Sequence, residues 1–226
     1  MQVQLNNDAL VVLSGGQDST TCLYWAKEHF DEIVAVTFDY GQRHKKEVSL
    51  AITNAKTAGV RLHRVISLDL ATIVPSALLN STEDVSGFHM LKEDLPASFV
   101  PNRNTLFFTI AHAIAQAECC DHLVAGTCQT DYSGYPDCRD DFIKGLQAIL
   151  NLGSDSNIII HTPLMFKTKE ETFQMAQDLG CLPIIIHNTL TCYEGNEDMN
   201  PWGMGCGKCP ACTLRSCGYD QYLSPM

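Results

Sequence analysis

The chain is short of positive charge. Fifteen Lys and Arg face 26 Asp and Glu, a formal net charge of -11, and such a balance argues against a surface that neutralises many phosphates of a long nucleic acid. Long apolar runs are also missing. No stretch approaches the roughly 18 residues of a membrane span, and the opening MQVQLNNDALVVLSGG lacks the charged, apolar, small-residue layout of a secretory leader. These absences predict a cytoplasmic protein that works without a membrane and without nucleic acid. No internal repeat and no low-complexity segment interrupts the chain. Two familiar phosphate motifs are absent as well: the turn after the first apolar run has no Lys where a Walker A loop requires one, and no G-x-G-x-x-G stands in its place.

What is present is enough apolar sequence for a full core. With 226 residues, 45% of them hydrophobic, the chain reads as one domain with a small appendage. Apolar runs at 9–14, 32–38, 62–67, 122–126 and 157–162 alternate with helical patterns at about 18–29, 45–58, 105–118, 139–150 and 169–179. Val, Ile and Leu dominate the short runs, which predicts an α/β fold with a parallel sheet and helices on both faces. Ligands of such sheets bind at the carboxyl ends of the strands, which gathers Ser14, Phe38, Asp39, Gly126, Thr127, His161 and Thr162 along one edge. Residues 68 to about 103 break the alternation and are a candidate lid. His161 and His187 are expected to finish strands rather than to ligate a metal.

The turn after the first strand reads VVLSGGQDSTT. Two glycines between an apolar strand and a hydroxyl-rich helix start would aim several backbone N–H groups at one anion. The simpler reading is a strand-to-helix turn capped by Asp18 or Ser19. Farther on, FDYGQRH (38–44) is either a nucleotide contact or a plain turn.

Eleven cysteines are present, an odd number, and the tail crowds four of them. Cys206, Cys209 and Cys212 follow a C-x-x-C-x-x-C spacing, with Cys192 upstream as the fourth. In a reducing compartment this pattern favours a structural Zn²⁺ held by four thiolates. An iron–sulfur cluster, a redox C-x-x-C and Cys217 as a substitute ligand are the alternatives. The other six, Cys22, Cys119, Cys120, Cys128, Cys138 and Cys181, are expected in or near the core. The domain reading is therefore an α/β unit over 1–187 and a cysteine lobe over 188–226, part of the same compact unit.

Ser14-Gly15-Gly16-Gln17-Asp18-Ser19 matches S-G-G-x-D-S and resembles the pyrophosphate loop of the N-type ATP pyrophosphatases, with their adenine nucleotide alpha hydrolase-like (HUP) fold. With VPNRNTLF (100–107), DYSGYPDCR (131–139), TPLMFKTKEET (162–172), TCY and GCGKCPAC, the chain is similar from about residue 11 to residue 215 to the 7-cyano-7-deazaguanine synthase family. The resemblance implies a homodimer with one structural zinc per chain that uses ATP with Mg²⁺, ammonia and 7-carboxy-7-deazaguanine. The acid would be adenylated, aminated to the amide, adenylated again and released as the nitrile preQ0 of queuosine biosynthesis, with AMP and pyrophosphate as by-products. It implies that Leu13, Ser14, Gly15, Gly16, Gln17, Asp18, Ser19, Thr20, Thr21, Cys22 and Leu23 bind the nucleotide, and that Cys192, Cys206, Cys209 and Cys212 bind the metal. Lys169 is the candidate cation for the α phosphate, with Lys167 as rival; a solvated lysine at a helix start is the plainer alternative. Asp18 and Arg103 join it as catalytic candidates. Arg103, Asp131, Tyr132, Asp137 and Arg139 are candidates for the base and its carboxylate, and plain loop-fixing bonds compete for each. Asn102 stands where the family often has Gly. No glutaminase segment is visible, so free ammonia is the expected nitrogen source. An amide-forming relative, a pyrophosphate-loop tRNA sulfurtransferase and a non-enzymatic zinc module are the competing functions.

Overall fold

The structure is a computed structural model that describes residues 7–41, 45–72, 88–89, 92–96, 99–130 and 135–224. Its centre is a parallel sheet. β1 (Ala9–Val12), α1 (Gln17–His29), β2 (Ile33–Asp39), α2 (Lys46–Ala58) and β3 (Leu62–Ser67) come first, followed by the short strands β4 (Phe88–His89) and β5 (Lys92–Pro96). Then follow α3 (Arg103–Ala117), β6 (His122–Val124), α4 (Asp140–Ser154), β7 (Ile159–His161), α5 (Lys169–Asp178) and α6 (Leu182–His187). The chain ends in β8 (Met199–Asn200), β9 (Gly203–Met204) and α7 (Pro210–Leu223).

β3, β2, β1, β6 and β7 lie side by side in that order, all parallel, while β4–β5 and β8–β9 form small antiparallel pairs. Alternate residues of the central strands feed two cores, as the period of a strand requires. Leu10, Val34, Val36 and Leu123 pack against Phe108 and Ala111 of α3 and Ile143 and Leu146 of α4. Val11, Ala35 and Val124 pack on the other face against Leu23 and Ala26 of α1 and Ala51 and Ala55 of α2. Both faces are thus covered, and this explains why the central strands are apolar at successive positions instead of alternating. Each buried Leu or Val contributes about 1.5–3 kcal/mol to holding the helices on the sheet.

The chain runs outward from β1 to β3 and then returns to β6 on the other side of β1. Two neighbouring strands whose connections leave in opposite directions open a crevice at their carboxyl ends. That crevice lies beyond Val12 and Val124.

The remaining expectations fared unevenly. His161 does close β7, but His187 closes the helix α6. Its run CLPIIIH is too short for apolar pattern alone to separate strand from helix, and Pro183 in the first turn favours the helix. Cys22, Cys120, Cys128 and Cys181 are buried and Cys138 half-buried, whereas Cys119 is exposed with φ 58° beyond the end of α3. Most of the candidate lid, residues 73–87, 90–91 and 97–98, lies outside the described residues.

Candidate active site

Leu13 ends the strand pairing, its N–H bonded to the carbonyl of Val36 at 2.8 Å. The chain then turns through Ser14, Gly15 and Gly16 into α1. Gly15 has φ +90°, and a Cβ there would stand 2.2 Å from the carbonyl oxygen of Glu47. Glycine is required twice, once for the torsion and once because α2 presses on the loop. The serines then lock the turn: Ser14 Oγ lies 2.9 Å from Ser19 Oγ, and the Ser14 N–H donates to Ser19 Oγ at 3.1 Å. The N-cap of α1 is Gly16, which has no side chain to cap the helix, and of the first-turn amides the Gln17 N–H reaches Thr191 Oγ1 at 3.4 Å. The remaining first-turn N–H groups leave the helix start partially positive.

Asp18, in that first turn, meets Lys169. Lys169 Nζ donates to Asp18 Oδ2 at 2.6 Å, and the lysine side chain is only 7% exposed. The placement of Lys169 has three local causes. Thr168 and Glu171 form a reciprocal capping box, with bonds of 3.2 and 2.7 Å, which starts α5 at this lysine. Gly218 lets α7 lie against the same turn, where a Cβ would come within 2.3 Å of Lys169 Cβ. Asp18 then draws the ammonium inward. Lys167 is half-buried, its carbonyl bonded to Thr130 and Cys128, and it is not among the residues that line the site.

The crevice is a cavity of about 320 Å³. Ser14, Gly16, Gln17, Asp18, Ser19 and Lys169 form its floor, with Gly126 and Thr127 at the end of β6 alongside. A Cβ on Gly126 would touch the Ser19 nitrogen at 3.0 Å, so this glycine lets the two strand ends close up. The opposite wall carries Tyr40, Glu47, Arg103, Phe107, Tyr135 and Tyr193. The guanidinium of Arg103 sits 5.9 Å from the centre of the Tyr40 ring and 6.0 Å from that of Phe107, within cation–π range. Burial pulls against its charge, but Tyr40, Tyr135, Asp137 and Cys138 hold it firmly protonated. Burial also pushes Glu47 up to about 8, with the Arg103 charge opposing. A carboxyl group that keeps its proton at neutral pH can donate as well as accept.

Several buried polar atoms of the floor have no hydrogen-bond partner: Gln17 Oε1 and Nε2, Asp18 Oδ1 and Thr127 Oγ1. Orphaned polar atoms in a cavity are costly unless a ligand, ion or water completes them. A carboxylate oxygen beside an anion-binding loop fits Mg²⁺, which takes oxygen ligands and shares them with phosphates.

Of the candidates for the base, Arg103 lines the cavity. Asp137 and Arg139 do not. Asp137 is buried and occupied by α3: its Oδ2 accepts from the Asn104 N–H at 3.1 Å, and its carbonyl accepts from Asn104 Nδ2 at 3.0 Å. Arg139 is exposed at the N-cap of α4. Asp131, Tyr132 and Gln42 to His44 lie outside the described residues. Asn102 caps α3 in the left-handed region at φ 57°, which accounts for an Asn where Gly is an alternative. Glu47 was not foreseen; Tyr135, Thr191 and Tyr193 stand inside DYSGYPDCR and TCY, two of the stretches that carry the resemblance, but were not singled out as site residues.

Cys192, Cys206, Cys209 and Cys212 converge, all four sulfurs within 4.8 Å of one another. Cys206 and Cys212 are 3.8 Å apart, and Cys209 and Cys192 4.0 Å. A disulfide needs about 2.05 Å, whereas zinc with metal–sulfur bonds of about 2.3 Å sets tetrahedral sulfurs about 3.8 Å apart. The donor set fits. The N–H groups of Lys208 and Cys209 both point at Cys206 Sγ, at 3.4 and 3.3 Å, through a turn that Gly207 makes at φ 70°. Such amides stabilise a thiolate. Gly205 leaves room for Cys212 Sγ, which a Cβ would approach to 2.6 Å. Cys217 is exposed on α7 and outside the cluster. The metal site adjoins the cavity, since Leu190, Thr191, Cys192 and Tyr193 line it and the Leu190 N–H bonds the Gly15 carbonyl at 3.2 Å.

Comparison with known proteins agrees with this geometry. The chain is 48% identical over 98% of its length, and 96% of the relative's, to 7-cyano-7-deazaguanine synthase of Wolinella succinogenes. It is 46% identical over 97% of its length, and 95% of the relative's, to the synthase of Staphylococcus saprophyticus. Among solved structures, a 4-thiouridine synthetase in complex with RNA and bound ATP matches with TM-score 0.51 and 15% identity, over 96% of this chain and 54% of that one. NMN synthetase from Francisella tularensis matches with TM-score 0.51 and 14% identity, over 96% and 85%. These two share the fold. The family model of the queuosine biosynthesis protein QueC matches residues 8–223, and the chain belongs to that family.

Proposed function

We propose that the cavity binds ATP with its β and γ phosphates on the Ser14–Ser19 turn, and there converts 7-carboxy-7-deazaguanine and ammonia to 7-cyano-7-deazaguanine. The observation that carries this reading is the Asp18–Lys169 pair beside an uncapped helix start at the crevice between β1 and β6. The enzyme is an ATP-dependent ligase that forms carbon–nitrogen bonds, the class to which a reaction making 7-cyano-7-deazaguanine, the product named for its relatives, belongs.

The chemistry follows from the substrate. A carboxylate resists ammonia because its carbonyl is electron-rich and oxide is a poor leaving group. Transfer of AMP to the carboxylate gives a mixed anhydride and expels pyrophosphate; ammonia displaces AMP and leaves the amide. A second adenylation, on the amide oxygen, sets up loss of AMP and two protons to give the nitrile. Each adenylation develops negative charge on departing pyrophosphate, which the Gly15 and Gly16 backbone and the α1 terminus stabilise. Lys169 balances charge at the α phosphate while Asp18 holds it in place. Arg103 pairs with the substrate carboxylate, between rings that suit a flat base. Asp18 Oδ1 would hold Mg²⁺, which supplies charge neutralisation on the phosphates. The four cysteines would hold Zn²⁺ as a closed, structural site.

The same reading makes the chain a cytoplasmic homodimer. Eleven cysteines with no disulfide among them suit a reducing compartment, and no helix among the described residues is long and apolar enough to cross a membrane. Ile149 and Leu152 on α4 are 67% and 84% exposed, and Ile159 on the edge strand β7 is 47% exposed, an apolar face that a second copy would cover. The net charge of -11 speaks against a nucleic acid as substrate.

Mass spectrometry of the protein incubated with ATP, Mg²⁺, ammonium and 7-carboxy-7-deazaguanine tests the proposal. Nitrile, AMP and pyrophosphate are expected, and Asp18→Ala should abolish all three while retaining its metal. Amide as the end product would move the chain to an amide-forming reaction, and an untouched base would overturn the substrate.

A further inference from the structure

Arg215, on α7, is the largest fully buried side chain among the described residues. Its Nε donates to the Trp202 carbonyl at 3.0 Å, Nη2 to the Ile185 carbonyl at 2.7 Å and Thr189 Oγ1 at 2.9 Å, and Nη1 to Thr191 Oγ1 at 3.2 Å and the Thr189 carbonyl at 3.5 Å. Every acceptor is neutral. No carboxylate among the described residues lies within ion-pair distance of it. The fold makes room for this guanidinium, since a Cβ on Gly203 would come within 2.4 Å of Nη2.

A cation stripped of water and given neutral partners alone is costly. Burial draws Arg215 down to about 10, and the Asp18 carboxylate is the first of the charges that oppose this. The side chain is therefore still charged at neutral pH, and Asp18 is already bonded to Lys169. Lys169 and Arg215 both feel that carboxylate, and Cys212, one turn before Arg215, is the second charge that opposes the burial. The guanidinium is connected to the glycine turn: Thr191 Oγ1, which takes a bond from Arg215, also accepts from the Gln17 N–H at 3.4 Å, in the first turn of α1.

We propose that Arg215 is a positioning residue for pyrophosphate, its buried guanidinium, bonded to neutral acceptors alone, holding Thr191 and the start of α1 for the phosphates that settle on the turn in front of them. This rests on the reading of the turn as the ATP site. It assigns the C-terminal lobe an electrostatic part in ATP cleavage beyond holding a metal, with Arg215 acting through Thr191 and the α1 amides and touching no substrate itself.

Calorimetric binding of inorganic pyrophosphate, ATP with Mg²⁺, and AMP to the metal-loaded protein tests it. Arg215→Met should weaken pyrophosphate and ATP by about tenfold or more and AMP by less than about threefold, because AMP lacks the phosphates on the turn. Arg215→Lys, which keeps the charge with fewer donors, should recover most of the pyrophosphate affinity. Equal losses for AMP and pyrophosphate, or a lysine variant no better than methionine, would mean a mere clamp and overturn the proposal. Thr191→Val covers the case in which Arg215→Met does not fold. It keeps the buried charge, removes the relay, and should weaken pyrophosphate by about three- to tenfold with AMP unchanged; unchanged pyrophosphate overturns the proposal. A wild-type protein that binds neither ATP nor pyrophosphate overturns the ATP reading itself, whereas wild-type binding that Arg215→Met leaves intact overturns only the part assigned to Arg215.

Discussion

Glu47 shows how one residue can be tuned by a site that it also shapes. Its backbone carbonyl leaves no room for a Cβ on Gly15, while Glu47 also lines the cavity with Arg103. Burial raises its carboxyl from 4.5 to about 8, the nearby Arg103 charge working the other way. The folded protein therefore keeps a proton that the unfolded chain gives up above pH 4.5. Glu47's contribution to stability is complete below that pH and is lost as pH rises toward about 8. Glu47→Gln, which imitates the neutral acid, is expected to raise the melting temperature relative to the wild type at pH 8 and to leave it unchanged at pH 4. Thermal denaturation at the two pH values checks the sign. A gain that is the same at both would mean that Glu47 is not held protonated.

At the scale of elements, the fold stands on close approaches between helices and turns, and glycines mark where these occur. Gly15 and Gly59 both have positive φ, +90° and +73°, but a Cβ on Gly59 meets nothing within 4 Å. Gly59→Ala at the end of α2 is expected to cost about 1–2 kcal/mol, the torsional penalty alone. Gly15→Ala adds a collision with the Glu47 carbonyl, so it should exceed about 3 kcal/mol, push α2 off the turn and abolish ATP binding. Chemical denaturation and nucleotide titration of the two variants separate torsion from contact. The sequence made such local features legible: S-G-G-Q-D-S and C-x-x-C-x-x-C each lie within a few consecutive residues. The alternating apolar runs gave the parallel sheet, with most element ends within two or three residues. What stayed hidden depends on distant segments meeting. Glu47, Thr191 and Tyr193 enter the cavity from a helix start and from the segment before the cysteine cluster. No spacing in the chain signals that Gly218 exists to seat Lys169. For Asp137, base recognition and plain loop-fixing bonds were both open from the sequence, and its Oδ2 accepts from the Asn104 N–H at the start of α3.

For the molecule as a whole, the C-terminal segment is stitched into the α/β body, so the cysteine cluster and the cavity share a wall. Asn54 of α2 donates to the Asn188 carbonyl at 2.8 Å, Leu190 is bonded to Gly15, and Ala211 and Leu214 of α7 line the cavity. Metal binding by four thiolates contributes on the order of 10–16 kcal/mol in isolated zinc peptides. On the proposed function, a metal held by these thiolates would fix the segment that walls the proposed ATP cavity. Cys209→Ser should therefore lose the metal, lower the melting temperature and weaken ATP binding together. Cys217→Ser, on an exposed face of α7 three turns from the helix start at most, should change none of the three. Metal content by mass spectrometry, read beside calorimetric melting and nucleotide titration, decides between a shared wall and two independent sites. A metal-free Cys209→Ser protein that melts lower but binds ATP with full affinity would show that the lobe stabilises the fold without shaping the cavity. The coupled loss is expected because Cys192 stands between Thr191 and Tyr193, both in the cavity wall, and cannot move without them.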